Sequence, residues 1–256
     1  MTTVVSVHSF RGGTGKSNTT SNLAGQLAAS GARVAVVDTD IQSPGIHVLF
    51  GFEDDLTKTL NDYLWGTIPI QEAAHDITDR IAATTPVQEG GALYLVPSSM
   101  KTGDIARVLR EGYDVGTLND GFRELAKGLN LDYLLIDTHP GLNEETLLSI
   151  TISDVLLLIL RPDRQDFQGT AVTVDVANKL GVPNLFLIVN KVPSGISAAD
   201  LEAQMLEAYG EKTAAVLPLS EEVVQNASKG LFSLTSPDNP WSEQVRRIAE
   251  TVKGVN

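Results

Sequence analysis

Residues 6–24 read SVHSFRGGTGKSNTTSNLA and join a short apolar run to a helical pattern through a glycine-rich loop. In such a loop, backbone N–H groups and the N-terminus of the following helix can converge on phosphate oxygens. Lys16 supplies a mobile cation, and the hydroxyl of Ser17 can help to hold Mg²⁺. The alternative is a glycine-rich connector that binds nothing. The predicted ligand contacts of the loop are Gly12, Gly13, Thr14, Gly15, Lys16, Ser17 and Asn18.

The composition indicates a globular protein without cysteine chemistry. The 256 residues are 42% hydrophobic and 20% charged, which allows a substantial core. The chain has no cysteine, which excludes disulfides, thiolate metal sites and cysteine nucleophiles within it. The net charge of −13 disfavours whole-surface attraction to nucleic acid or anionic lipid, but a local basic patch stays open. Because we find neither a membrane-spanning apolar run nor a signal pattern, we expect a cytoplasmic protein.

Apolar runs and helical patterns alternate along the chain, with no linker or break in composition between them. A strand, a loop, a helix and a second strand within residues 3–37 form a βαβ unit, which implies a parallel sheet. We predict one α/β domain, residues 1–256, with a mostly parallel twisted sheet and helices on both faces. The patterns predict strands at 3–8, 33–37, 93–96, 131–136, 155–160, 185–189 and 214–217, and helices at 18–30, 56–64, 70–74, 118–128, 146–153, 169–180, 198–209 and 241–252.

Acidic residues follow two of the predicted strands. The carboxyl edge of a parallel sheet is where ligands bind, so these side chains are expected beside the glycine-rich loop. Asp137 follows four apolar residues and is predicted to hold Mg²⁺ together with Ser17, the alternative being a turn or helix cap. Asp40 is predicted to orient or deprotonate an attacking water and to support the metal site. Asp38 either contacts this site or only ends its strand.

Four segments together resemble the ParA/MinD family. They are FRGGTGKSNTT at residues 10–20, VVDTDIQSPG at 36–45, LLIDTHPG at 134–141 and AVLPLSEEVVQNASKG at 215–230. Members of that family are P-loop ATPases with a deviant phosphate loop, and two subunits face each other across ATP. The resemblance spans nearly the whole chain and implies a P-loop NTPase fold, ATP and Mg²⁺ as cofactors, and a homodimer. It also implies that adenine lies near Asn190, which could otherwise be a turn former, and near the backbone at Pro218.

The sequence departs from the family at the first charged position of the loop. Arg11 stands where the family has a signature lysine that reaches the partner's nucleotide. Arginine presents a planar fork of donors to phosphate oxygens, so Arg11 is predicted to act catalytically across the dimer. The alternative is a solvent-facing loop arginine. His139 is a second departure and is expected to make a local hydrogen bond, the alternative being that it senses the nucleotide. Lys191 is expected to be solvated, the alternative being a catalytic role.

Two surfaces decide which partner such an ATPase would use. The C-terminal segment places Trp241, Val245, Ile248 and Val252 on one helical face, which favours a packed final helix over a membrane anchor. Five arginines are candidates for a DNA-binding patch, but neighbouring acids such as Asp163 and Asp166 argue for solvated charges. These arginines are Arg107, Arg110, Arg123, Arg161 and Arg164.

The resulting hypothesis is an ATP-hydrolysing, dimerising switch that positions a cargo such as a plasmid, a chromosome region or a protein assembly. A stimulating or cargo-adaptor protein is expected as partner, with non-specific DNA and a nucleoid location left open and membrane binding less favoured. The alternatives are a weakly hydrolysing nucleotide-bound scaffold, a MinD-like membrane-associated regulator of the division site, and a metabolic ligase on the same fold. Relatives that depend on cysteines for iron–sulfur clusters are disfavoured, because this chain has none.

Overall fold

The computed structural model describes residues 1–53 and 56–255. Within them, eight strands alternate with helices. The strands are β1 (Thr3–His8), β2 (Arg33–Asp38), β3 (His75–Asp76), β4 (Ala92–Val96), β5 (Tyr133–Asp137), β6 (Val155–Leu160), β7 (Leu185–Val192) and β8 (Lys212–Pro218). The helices are α1 (Lys16–Ala29), α2 (Ile46–Leu49), α3 (Leu60–Leu64), α4 (Ile70–Ala73), α5 (Thr78–Ala82), α6 (Thr102–Glu111), α7 (Val115–Gly128), α8 (Glu144–Thr151), α9 (Arg164–Leu180), α10 (Ala198–Tyr209), α11 (Glu221–Asn226), α12 (Phe232–Thr235) and α13 (Pro240–Lys253).

The described strands form one sheet in the order β3-β4-β2-β5-β1-β6-β7-β8. Every neighbouring pair is parallel except β3 with β4, which is antiparallel. All six residues of β6 are buried, as expected for a parallel strand whose two faces are both covered. The prediction of an α/β fold with a mostly parallel sheet is confirmed.

Helices pack on both faces of the sheet, as predicted. On one face Val5 and Val7 of β1 share an apolar cluster with Leu23 of α1 and Ile248 of α13. On the other face β2 and β5 pack with α7, while β6 and β7 pack with α9 and α10. Both faces of the sheet are thus buried, whereas the loops lie at its carboxyl edge.

The C-terminal helix is part of the core. Trp241 is 3% exposed, and Val245, Ile248 and Val252 are each 0% exposed. The predicted packed helix is therefore confirmed, and its apolar face is covered by the rest of the protein. In the described part of the chain, no helix is both long and apolar enough to cross a membrane.

The predictions differ from the structure at several helix starts, and they lack the elements α2, β3, α5, α6, α11 and α12. The helix predicted at 56–64 begins only at Leu60, because the side chain and backbone of Thr59 both bond the Asp62 carboxylate in a capping box. The helix predicted at 169–180 begins earlier, at Arg164, because the Asp163 carboxylate caps it. Helix α6 was not predicted, and Val108 is the one residue that it buries.

Candidate functional site

The glycine-rich loop lies at the centre of the carboxyl edge. Strand β1 lies between β5 and β6 in the interior of the sheet, with further strands on both sides. Because the central strands are parallel, the loops that follow β1, β2, β5 and β7 all emerge at this edge. The segments that were singled out from the sequence are therefore neighbours in space.

The loop backbone has the shape of a ligand cradle. Gly13 and Gly15 have φ angles of +76° and +101°, a region that favours glycine. A Cβ on Gly15 would lie 2.4 Å from Nδ2 of Asn190. That same amide nitrogen donates to the carbonyl of Thr14 at 2.8 Å, and the ammonium of Lys191 donates to the carbonyl of Gly13 at 2.8 Å. Lys191, which was expected to be solvated, thus contacts the loop while its side chain stays exposed.

We predict that Gly15→Ala destabilises the protein more than Gly13→Ala. Both replacements put alanine into left-handed backbone, which costs about 1–2 kcal/mol. At Gly13 nothing lies within 4 Å of the added Cβ, whereas at Gly15 it collides with Asn190. Displacing Asn190 breaks its bond to Thr14 and adds about 1–3 kcal/mol. Urea unfolding of the nucleotide-free variants measures the difference, and equal losses would show that Asn190 does not brace the loop.

A cavity of about 270 Å³ opens beside the loop. Its lining brings together Gly15, Asn18, Asn190 and Pro218, which were all predicted to contact the nucleotide, with Trp241 of α13. The hydroxyl of Thr14 is buried and has no hydrogen-bond partner in the described residues. A buried hydroxyl of this kind fits a site that is completed by a polar ligand. The arrangement fits the phosphates and base of a nucleotide.

A cluster of buried carboxylates lies under the loop. Asp38 and Asp137 are register partners at the ends of β2 and β5 and are 0% and 1% exposed. Burial raises the pKa of Asp137 to about 6, although Lys16, Ser17 and Thr20 oppose the rise. The hydroxyl of Thr20 donates to Oδ1 of Asp137 at 3.0 Å.

Asp38 is engaged with the backbone of its own loop. Its two carboxylate oxygens accept the N–H of Asp40 at 3.1 Å and the N–H of Gly45 at 3.3 Å. Burial raises the pKa of Asp38, and the neighbouring Asp137 and Asp40 add to the effect. The structure therefore gives Asp38 a part in ordering the loop that carries Asp40.

Lys16 and Ser17 both interact with Asp137 of this cluster. Lys16 is only 7% exposed, and its charge acts on both Asp137 and His8. Among the described residues, no group of three or more His, Cys, Asp or Glu side chains could cage a metal. Mg²⁺ needs no such cage, since one or two carboxylates, waters and phosphates suffice. Ser17 and Asp137, which interact with each other, offer oxygen ligands of that kind, and Asp40 adds a charge close to Asp137.

Asp40 has a partner that the sequence did not indicate. Nδ1 of His139 lies 2.7 Å from Oδ1 of Asp40. The expected local hydrogen bond of His139 is thus present, and it joins the loop after β5 to the loop after β2. The two residues lie 99 positions apart in the chain, so only the sheet order brings them together.

Arg11 points to α9 and not to its own glycine loop. Its guanidinium donates to the side-chain oxygen of Gln165 and lies 3.7 Å from Asp166, and 41% of the side chain is exposed. Asp166 also holds Arg161 through two bonds of 2.9 and 3.0 Å. Two further arginines of the candidate DNA patch are paired as well, Arg107 with Glu111 and Arg123 with Asp120.

The chain matches a known family over almost its whole length. The model of the ParA family, described as "NUBPL iron-transfer P-loop NTPase", matches residues 1–253. An uncharacterised ATP-binding protein of Methanocaldococcus jannaschii is 25% identical over 258 residues, covering 99% of this chain and 89% of that protein.

Solved structures show the same fold. The septum site-determining protein MinD of Pyrococcus horikoshii OT3, complexed with Mg-ADP, has a TM-score of 0.79 and 24% identity over 98% of this chain and 96% of that one. The cell division ATPase MinD of Pyrococcus furiosus has a TM-score of 0.82 and 22% identity over the full length of both chains. The predicted resemblance is confirmed, and the chain belongs to the ParA family of P-loop NTPases.

Proposed function

We propose that this protein binds and hydrolyses ATP with Mg²⁺, dimerises around ATP, and serves as a cytoplasmic switch that positions a cargo. The observation that carries the proposal is the buried Lys16 beside Asp137, under a glycine loop whose φ angles and open cavity fit a nucleotide. In this arrangement the loop N–H groups and Lys16 would bind the phosphates, and Ser17 and Asp137 would hold Mg²⁺, which would supply positive charge to the phosphates.

Asp40 is the residue that would act on water. Oδ1 of its carboxylate is held by His139 and Ser43, and the side chain lies at the edge of the buried acidic cluster. A carboxylate fixed in this way orients a water and accepts its proton as the water attacks the terminal phosphate. The charge of Asp40 also acts on Asp137, the predicted metal ligand.

Arg11 supports the dimeric part of the proposal. It is bonded to α9, is 41% exposed, and is thus free to exchange Gln165 for a phosphate of the opposite subunit. The names of the MinD relatives, which refer to septum-site determination and cell division, favour a positioning role over a metabolic one. The family description "iron-transfer" is the second candidate, but a chain without cysteine offers no thiolate to a cluster.

The experiment compares the mass of the protein in solution with ATP, ADP or no nucleotide, and measures phosphate release under the same conditions. Light scattering is expected to show a dimer with ATP and Mg²⁺ only. Phosphate release is repeated with DNA and with lipid vesicles to identify a stimulating surface. Turnover under every condition no faster than that of Lys16→Ala would favour the weakly hydrolysing scaffold.

We predict that Arg11→Ala prevents the ATP-dependent dimer and lowers turnover by at least about tenfold, since an arginine supplied across an interface stabilises transition-state charge. Arg123→Ala is the matched control. Its guanidinium is 74% exposed and only 3.9 Å from Asp120, so its loss is expected to change neither dimerisation nor turnover. A dimer that forms equally well without Arg11 would assign Arg11 to the loop surface.

A further inference from the structure

The carboxylate of Asp40 is held on one side only. Oδ1 of Asp40 faces Nδ1 of His139 at 2.7 Å, the hydroxyl of Ser43 at 3.1 Å and the N–H of Ser43 at 3.3 Å. Oδ2 has no hydrogen-bond partner among residues 1–53 and 56–255. Three donors on one oxygen restrain the rotamer of a carboxylate, and the other oxygen of Asp40 keeps its capacity to accept a hydrogen bond.

The contact with Asp40 also determines which ring nitrogen of His139 carries a proton. A carboxylate only accepts hydrogen bonds, so Nδ1 of His139 carries the proton that it donates to Asp40. If Ser43 were the only donor, Asp40 and Ser43 could move together, because they lie three residues apart in the same loop. His139 is the donor that comes from a different loop, the one after β5.

The segment around His139 is anchored to β1. The N–H of Thr138 bonds the carbonyl of Val7 at 3.3 Å, and the N–H of Gly141 bonds the carbonyl of Ser9 at 3.1 Å. The hydroxyl of Thr138 donates to the same carbonyl of Val7 at 3.0 Å. Since one end of this short segment is bonded to β1 and the other to Ser9, at the start of the glycine-rich loop, His139 links Asp40 to the loop that would hold the phosphates.

We infer that His139 is a positioning residue for the proposed hydrolysis, holding Asp40 so that its free oxygen faces the attacking water. The inference rests on the proposed function. It assigns to His139 no proton transfer, because the Nδ1–H bond to Asp40 is sufficient to fix the carboxylate. Misplacement of a reacting group by about 1 Å can cost about a hundredfold in rate, so the loss of this bond is expected to appear in kcat.

The test uses three replacements of His139 and one distant control. His139→Asn puts an amide N–H where Nδ1–H stands, His139→Gln puts it one carbon further out, and His139→Ala removes it. We expect kcat for ATP to fall about tenfold or more in the alanine and glutamine variants and to stay within about threefold in the asparagine variant, with KM little changed. The control is His75→Ala on β3, where the imidazole bonds the carbonyl of Lys58, and it is expected to match the wild type.

A second readout is independent of turnover. Long-range ¹H–¹⁵N spectra of the nucleotide-free protein resolve the tautomers of its four histidines, and the His139 signal is assigned by its absence from His139→Asn. We expect an Nδ1–H form that is lost in Asp40→Ala. An Nε2–H form, turnover that survives His139→Ala, or failure of asparagine to restore kcat would each overturn the inference while the proposed function stands. A wild type that releases no phosphate would overturn both.

Discussion

Lys16→Ala is expected to weaken ATP binding by about a hundredfold, the largest effect on affinity in this protein. A charge-assisted hydrogen bond is worth about 1.5–3 kcal/mol, and each 1.4 kcal/mol changes affinity about tenfold. Lys16 is 7% exposed, so in the proposed site its ammonium would act on the phosphates with little competition from water. Titration with a fluorescent ATP analogue measures the loss.

Two variants separate the loss of the charge from damage to the fold. Lys16→Met keeps the aliphatic stem that fills the buried position, and it is expected to lose ATP as fully as Lys16→Ala. Lys58→Ala removes an exposed lysine that pairs with Glu72 far along the chain from the loop, and it is expected to bind ATP normally. Unchanged ATP affinity in Lys16→Met would show that residues 6–24 do not form the phosphate site.

The strands of the sheet could be predicted because their signal is local. The six buried residues of β6 and the apolar run of β5 are continuous in the sequence, and such runs are typical of parallel strands covered on both faces. The loop after β1 could be predicted for the same reason, since glycines, lysine and serine stand side by side in it. Asp137 could be predicted from its place at the end of the apolar run that forms β5.

Contacts between distant loops could not be predicted. Asn190 and Lys191 bond the carbonyls of Thr14 and Gly13 across more than 170 residues, and nothing in the sequence near Asn190 indicates a role in bracing that loop. The bond between His139 and Asp40 depends on β2 and β5 being neighbours in exact register, with Asp38 opposite Asp137. Such information appears only once the strand order is known.

The ionic contacts of Arg11 could not be predicted from the sequence either. Its position in the sequence indicated a residue for phosphate, whereas the structure shows it bonded to Gln165 and close to Asp166 on α9. Asp166 is also the acid that neutralises Arg161, so one buried carboxylate serves two arginines. For Arg161, one of the five arginines considered for a DNA-binding patch, the expected neutralisation by a neighbouring acid thus has a structural reason in Asp166.

Asp40→Ala is expected to lower kcat for ATP by about a hundredfold to a thousandfold while leaving ATP affinity within about threefold. General-base catalysis contributes about 10²–10⁴ in rate, and the phosphate contacts proposed for Lys16 and the loop do not involve Asp40. Because hydrolysis is what would end the dimeric state, the variant is also expected to accumulate as a dimer with ATP. Single-turnover phosphate release and light scattering measure the two effects.

The control for Asp40 is Asp175→Ala, which removes a carboxylate that is 63% exposed and paired with Lys179 on α9. It is expected to hydrolyse ATP and return to the monomer as the wild type does. Asp40→Asn separates the two roles proposed for this residue, since an amide can still bond His139 but cannot take a proton. If Asp40→Asn keeps full turnover, Asp40 orients groups without acting as a base. If ATP affinity falls in proportion to kcat in both variants, the main role of Asp40 is at the metal, because a general base is needed only in the transition state.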